Sequence, residues 1–176
     1  MSAALCPATA PVDVEQALDS RPGPQGKPLN YREEIHHPAI ADPAVTSGWF
    51  DVGKDGSLIR HQLEPSPEIM RIGENFIFQK RDSNGGERNI FPIPSKLAPL
   101  LSALRSIVGH TAKTMLTSYP YKLYSDSSGW RLTLQTGGAD TWDNLIVLEG
   151  CGNVLQVVEL RLPNRERRRI IFARDP

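Results

Sequence analysis

Gly48-Trp49-Phe50-Asp51-Val52, Lys54-Asp55-Gly56-Ser57 and Leu58-Ile59-Arg60-His61-Gln62-Leu63 follow one another in a single stretch. It reads as two strands joined by a tight turn. Phe50 and Val52 alternate on one strand, and Ile59 with Leu63 on the next, with the period of two that a half-buried strand imposes. Asp55-Gly56 supplies the positive φ angles of a primed hairpin turn. This is the signature of antiparallel pairing.

The pattern repeats outward in both directions. Tyr31 to His36 precedes it as another strand. After the break at Pro65-Ser66-Pro67 come Ile69 to Ile72, the turn Gly73-Glu74-Asn75, then Phe76-Ile77-Phe78-Gln79. The polar run Asp82 to Gly86 leads into Asn89-Ile90-Phe91. Five or six short strands at hairpin spacing make antiparallel order the economical reading. The period then changes. Leu97, Leu100, Leu101, Leu104, Ile107 and Val108 recur at helical spacing, with Ser95 as a candidate cap, Pro99 in the first turn and Gly109 at the end. Ala112 to Leu116, including Met115, extends this helical stretch.

Strands return at Tyr121 to Tyr124 and at Trp130-Arg131-Leu132-Thr133-Leu134-Gln135. Asn144 to Leu148 and Val154 to Leu162 flank Gly150-Cys151-Gly152, and Arg168 to Phe172 closes the series. The sum is roughly ten strands around one or two central helices, without βαβ alternation. The expected class is mainly β or α+β with one large curved antiparallel sheet. Residues 1–30 are expected to form a separate segment, a short helix over Val12 to Leu18 followed by a Pro/Gly-rich linker, and residues 31–176 the domain.

Composition narrows the function. Twenty basic and twenty acidic residues cancel, so net charge offers no argument for nucleic acid or an anionic surface. No apolar run approaches the length of a membrane span. Met1 to Cys6 lacks the basic and apolar regions of a signal peptide. The expectation is either a cytoplasmic protein or a mature form whose signal has been replaced by Met. A lipobox reading of Ala3 to Cys6 fails at Leu5, where a small residue belongs.

Signatures of chemistry are missing. There is no Gly-x-Ser-x-Gly elbow, no phosphate loop ending in Gly-Lys-Ser/Thr and no His-Glu-x-x-His. Gly150-Cys151-Gly152 imitates a dinucleotide fingerprint, but it lacks the third glycine and sits between strands, so a hairpin turn is the better reading. His36 and His37 point to opposite faces of a strand. Uniting either with His61 or His110 as metal ligands needs support the sequence does not give. Asp140 and Asp143 around Trp142 read as a solvated loop rather than an acid/base pair. No metal site, cofactor or catalytic residue is expected.

Cys6 and Cys151 are too far apart for a zinc pattern and are either a disulfide pair in an oxidising compartment or two separate thiols. Arg165, Arg167, Arg168 and Arg169 crowd the last turn. They form either a solvated hairpin tip or a docking site for an acidic partner. Without interleaved aromatics they do not suit a nucleic acid.

From Tyr31 to Arg174 the chain resembles the periplasmic outer-membrane lipoprotein carrier (LolA-like) family. The likeness is carried by Ser47 to Arg60 with Glu64-Pro65, by Pro67 to Phe76, and by Leu104 to Gly109 with Met115-Leu116, Tyr121 and Trp130 to Leu134. The resemblance implies an unclosed antiparallel half-barrel with helices covering its concave face, carrying acyl chains across the periplasm without catalysis. It implies an inner-membrane donor, an outer-membrane acceptor and a monomeric carrier. Each buried methylene contributes about 0.8 kcal/mol, so an acyl chain is held without a sharp motif. The expected lining is Phe50, Val52, Ile59, Leu63, Met70, Phe76, Phe78, Trp130 and Leu132, with Leu97, Leu100, Leu101, Leu104, Val108 and Met115 as the lid. The chain departs from the family at Lys54-Asp55-Gly56, where the best-known carriers have an Arg-Pro whose arginine latches the lid. It departs again at Thr136, where a proline often follows the Trp-x-Leu-x-Leu strand. The alternative is a sensor or interaction module on the same scaffold, docking through the Arg-rich hairpin.

Overall fold

The computed structural model describes residues 15, 18, 28–81, 86–109, 111–137, 144–152 and 154–173. Short alternating segments separated by Gly, Pro and Asp become strands. They are β1 (Leu29–His36), β2 (Ala44–Val52), β3 (Leu58–Glu64), β4 (Glu68–Ile72), β5 (Phe76–Arg81) and β6 (Glu87–Pro92). Two helices follow, α1 (Ala98–Val108) and α2 (Ala112–Ser118). The chain then returns through β7 (Tyr121–Asp126), β8 (Gly129–Gln135), β9 (Leu145–Cys151), β10 (Val154–Arg161) and β11 (Arg167–Phe172).

Among the described residues these strands form one 11-stranded sheet in the order β6-β5-β4-β3-β2-β1-β11-β10-β9-β8-β7, every pairing antiparallel. Two meanders, β1 to β6 and β7 to β11, are sewn together by the β1–β11 pair. The free edges are β6 and β7, which do not meet. The curved sheet is thus an unclosed half-barrel, and α1 and α2 lie on the single crossing between its edges. The expected class is what forms, with eleven strands where the sequence reading counted about ten.

The turn in the opening stretch differs from a two-residue primed turn. Gly53 to Ser57 connect β2 and β3, with the Gly56 N–H donating to the Gly53 carbonyl at 2.9 Å. Only Gly56 has a positive φ, +74°. Asp55 is held instead by Ser57, whose N–H and hydroxyl both donate to its Oδ1 at 3.2 and 2.7 Å. Helix α1 also starts later than Ser95: Leu97 is the capping position and gives no side-chain hydrogen bond, with Pro99 in the first turn and Gly109 at the end.

The core sits between α1 and the helix-bearing face of the sheet. Leu100, Ile107, Leu132, Leu134, Ile146, Leu148 and Val158 are wholly buried there. Leu18, a helical residue of the N-terminal segment, is buried in the same core. Close approach of strands needs Gly48: a Cβ there meets the His61 carbonyl oxygen at 1.8 Å, beside the irregularity in the β2–β3 pairing at Ser47/Gly48.

Candidate ligand-binding face

Register assigns each strand residue to a face. Three rungs cross β2 to β5 on the concave, helix-bearing side. The first, nearest the Gly53–Ser57 turn, is Val52-Leu58-Ile72-Ile77, which continues to Phe91 on β6. The second is Phe50-Arg60-Met70-Gln79, continuing to Asn89, and the third is Gly48-Gln62-Glu68-Arg81. The face therefore grades from wholly apolar, through mixed, to polar within three rungs. The other meander shows no such gradient. Its rung Ile170-Val158-Leu148-Leu132-Leu123 is apolar throughout, and Leu160-Ile146-Leu134-Tyr121 is apolar up to Arg168, which pairs with Leu160 on β11.

At the mixed rung a buried network replaces apolar packing. The Arg60 Nε donates to Tyr31 Oη at 2.9 Å, and its Nη2 reaches Glu33 Oε2 at 2.6 Å, Thr46 Oγ1 at 2.9 Å and Gln62 Oε1 at 3.0 Å. The Thr46 hydroxyl donates to the same Glu33 oxygen at 3.0 Å, and Arg168 Nη1 stands 3.5 Å from the other. Glu68 accepts from Gln79 and Arg81 at 2.8 and 2.9 Å. Burial raises the Tyr31 phenol above its usual range, partly opposed by the charge of Arg60, whose guanidinium lies 5.4 Å from the ring centre.

A polar bond ties the helical cover to the graded half. Arg105 of α1 donates from Nη1 to the Gly73 carbonyl at 3.1 Å, while its buried Nε has no acceptor. Val52, Met70, Ile93, Leu101, Leu116 and Tyr119 pack against the core but stay only half-buried. Phe91, Tyr121 and Leu123, on the two edge strands, are exposed on the same side.

Most of the expected lining comes together. Phe50, Leu100, Leu104, Val108, Met115, Trp130 and Leu132 are buried in one cluster, with Val52, Met70 and Leu101 packed against it; Leu97 is half-buried at the start of α1. Ile59, Leu63, Phe76 and Phe78 do not join it. Register puts Ile59, Phe76 and Phe78 on the convex side: Ile59 pairs with Arg71, Arg71 with Phe78, and Phe76 precedes inward-facing Ile77, while Leu63 falls at the irregularity in the β2–β3 pairing and is exposed. The residues the sequence reading missed are Tyr31, Glu33, Thr46 and Arg60, because a charged residue between Ile59 and His61 reads as outward-facing.

The arginines of the last turn do not form one patch. Arg168 faces the concave side and pairs with Glu166 at 2.6 Å; Arg169 faces outward and pairs with Glu149 and Glu159 at 2.9 and 3.6 Å. Arg165 is exposed at the turn with φ +61°, and Arg167 is half-buried opposite His36. His61 stacks on Trp49 with ring centres 4.7 Å apart, and His36 lies 3.7 Å from Glu34. Among the described residues no three His, Cys, Asp or Glu side chains gather into a metal-holding group. His110, Asp140, Trp142 and Asp143 lie outside the described residues. Cys151, at the end of β9, is disulfide-bonded; Cys6 lies outside the described residues.

These features define an unclosed antiparallel half-barrel with a graded concave face beneath a helical lid. No protein-family model matches the chain, and no curated protein matches it. Among solved structures it is similar to a LolA superfamily protein from Nitrosomonas europaea, at 12% sequence identity over 93% of this chain and 92% of that one, with a TM-score of 0.44.

Proposed function

We propose that this chain is a non-enzymatic periplasmic carrier that shields the acyl chains of a lipoprotein or another lipid between the inner and outer membranes. The observation that carries the reading is the concave face itself. Its apolar part, packed against α1 and α2 through one core cluster, is bordered by half-buried Val52, Met70 and Leu101 and by exposed Phe91, Tyr121 and Leu123 at the open edges. An acyl chain that slides under α1 exchanges water for this lining at about 0.8 kcal/mol per methylene. Lining and lid lie on different strands and on a crossing that no strand pairing restrains, which suits an opening motion. The disulfide at Cys151 supports an oxidising compartment. Delivery by an inner-membrane donor and release to an outer-membrane acceptor belong to the same reading.

The test is native mass spectrometry of the full chain purified from a bacterial periplasm, followed by extraction of whatever is bound. A discrete acylated ligand, lost in Leu101→Asp while the fold is kept, is the expected result. A protein that arrives empty and takes up neither fatty acid nor lipopeptide ends the carrier reading.

A further inference from the structure

We infer that Arg60 recognises the polar end of the ligand, and that this end is an uncharged acceptor, an ester or amide carbonyl, rather than a free carboxylate. The inference rests on the carrier reading and deepens it to a class of ligand. Arg60 is the one charged residue of the mixed rung, flanked across the strands by Phe50 and Met70. Its side chain keeps only 9% of its exposure. Of its guanidinium nitrogens, Nε and Nη2 are used by Tyr31, Glu33, Thr46 and Gln62. Nη1 makes no hydrogen bond among the described residues, and its nearest acid, Glu68 Oε1, stands 4.0 Å away. A ligand whose tail lies along Leu58, Ile72 and Ile77 brings its head one rung over, to this nitrogen.

Charge decides what that head is. The cations of the network are matched one for one: Arg60 with Glu33, Arg81 with Glu68, and Arg168 with Glu166. A carbonyl oxygen accepts from Nη1 and leaves the balance unchanged. A carboxylate adds an unmatched negative charge beside Glu33 and Glu68, where little water remains to screen it. The same balance disfavours a phosphate.

The test compares a saturated fatty acid with its glycerol monoester of the same chain length. Each displaces an apolar fluorescent probe from the full-length protein, at a pH where the acid is ionised. The monoester is expected to bind at least about tenfold more tightly. In Arg60→Met/Glu33→Gln, which removes both charges together, the ratio should fall towards one. Arg60→Lys, which keeps the charge but not the fork of donors, should show an intermediate ratio if the double variant does not fold. Equal or tighter binding of the acid by the wild type overturns the inference, as does a ratio that survives in these variants. If neither ligand binds the wild type, the carrier reading itself is lost, so the two failures are separable.

Discussion

Arg60 Nη2 and Glu33 Oε2 lie 2.6 Å apart, with side chains 9% and 3% exposed, on strands β3 and β1 that share no direct pairing. The bond spans β2 beneath the concave face. Breaking such a pair leaves one buried charge behind. Arg60→Met alone should therefore destabilise the protein by about 3–5 kcal/mol. Removing both charges in Arg60→Met/Glu33→Gln should cost clearly less than Arg60→Met. Urea unfolding of the two variants measures this. Equal losses in both would mean that Glu33 is compensated elsewhere, by Arg168.

The β2–β3 turn carries a pH dependence. Asp55 has its pKa lowered from 3.8 to about 2, first by the Ser57 hydroxyl, then by the Ser57 N–H, with smaller help from Arg71. A depressed folded pKa means stability that is present above the unfolded value and lost as pH falls through the folded one. The turn should therefore hold its geometry down to about pH 4 and loosen between that point and about pH 2. Carboxyl NMR titration should place Asp55 near 2 in the wild type. Ser57→Ala should move it up further than Arg71→Met does. The reverse order would make charge, rather than local hydrogen bonding, the dominant cause.

The lid is held at a cost. Arg105 gives one hydrogen bond to Gly73 while its Nε is buried without an acceptor, and an unsatisfied buried donor costs about 1–3 kcal/mol. Arg105→Met removes both the latch and the orphan, so overall stability should change by less than about 1 kcal/mol. Exchange of a bound acyl probe should become faster. Stopped-flow displacement reads the rate and thermal unfolding the stability; slower exchange would show that Arg105 does not restrain α1.

What the sequence disclosed and what it hid have one cause. Alternation located the strands, and helical spacing located α1, because both signals are local. Ile59, Phe76 and Phe78 face the other way from the expectation because apolar residues stand side by side on these strands, Leu58 beside Ile59 and Ile77 between Phe76 and Phe78, and the inner face is partly polar. Polar Arg60, Gln62, Gln79 and Arg81 point inward, and apolar neighbours point out. A strand with polar residues on its inner face gives the same period as its opposite, and only pairing with β1 and β2 distinguishes them. Trp130 and Leu132 do face inward, because β8 alternates with Trp130, Leu132 and Leu134 all buried on its inner side.

The difference in facing is open to measurement. Leu132 is wholly buried, and Leu63 is 52% exposed at the end of β3. Leu132→Ala should cost about 2–5 kcal/mol. Leu63→Ala should stay within about 0.5 kcal/mol and leave acyl binding unchanged. A loss of binding in Leu63→Ala would return that residue to the ligand face.

Gly48 and Gly56 separate two reasons for a glycine within one hairpin. At Gly48 the obstacle is space: an added Cβ lies 1.8 Å from the backbone oxygen of His61 and 3.0 Å from the Gln62 Cα, neither of which can rotate away. At Gly56 the obstacle is conformation alone, since φ is +74° and nothing lies within 4 Å. Gly56→Ala should therefore cost about 1 kcal/mol through strain and still fold. Gly48→Ala must either push β2 away from β3 or abandon their register. Because β2 carries Phe50 and Thr46 and β3 carries Arg60, losing that register dismantles the mixed rung as well as the hairpin. Gly48→Ala should be insoluble, or folded without the upfield methyl shifts of a packed core and without acyl binding. A soluble Gly48→Ala with wild-type unfolding and wild-type binding would show that the strands do not approach this closely.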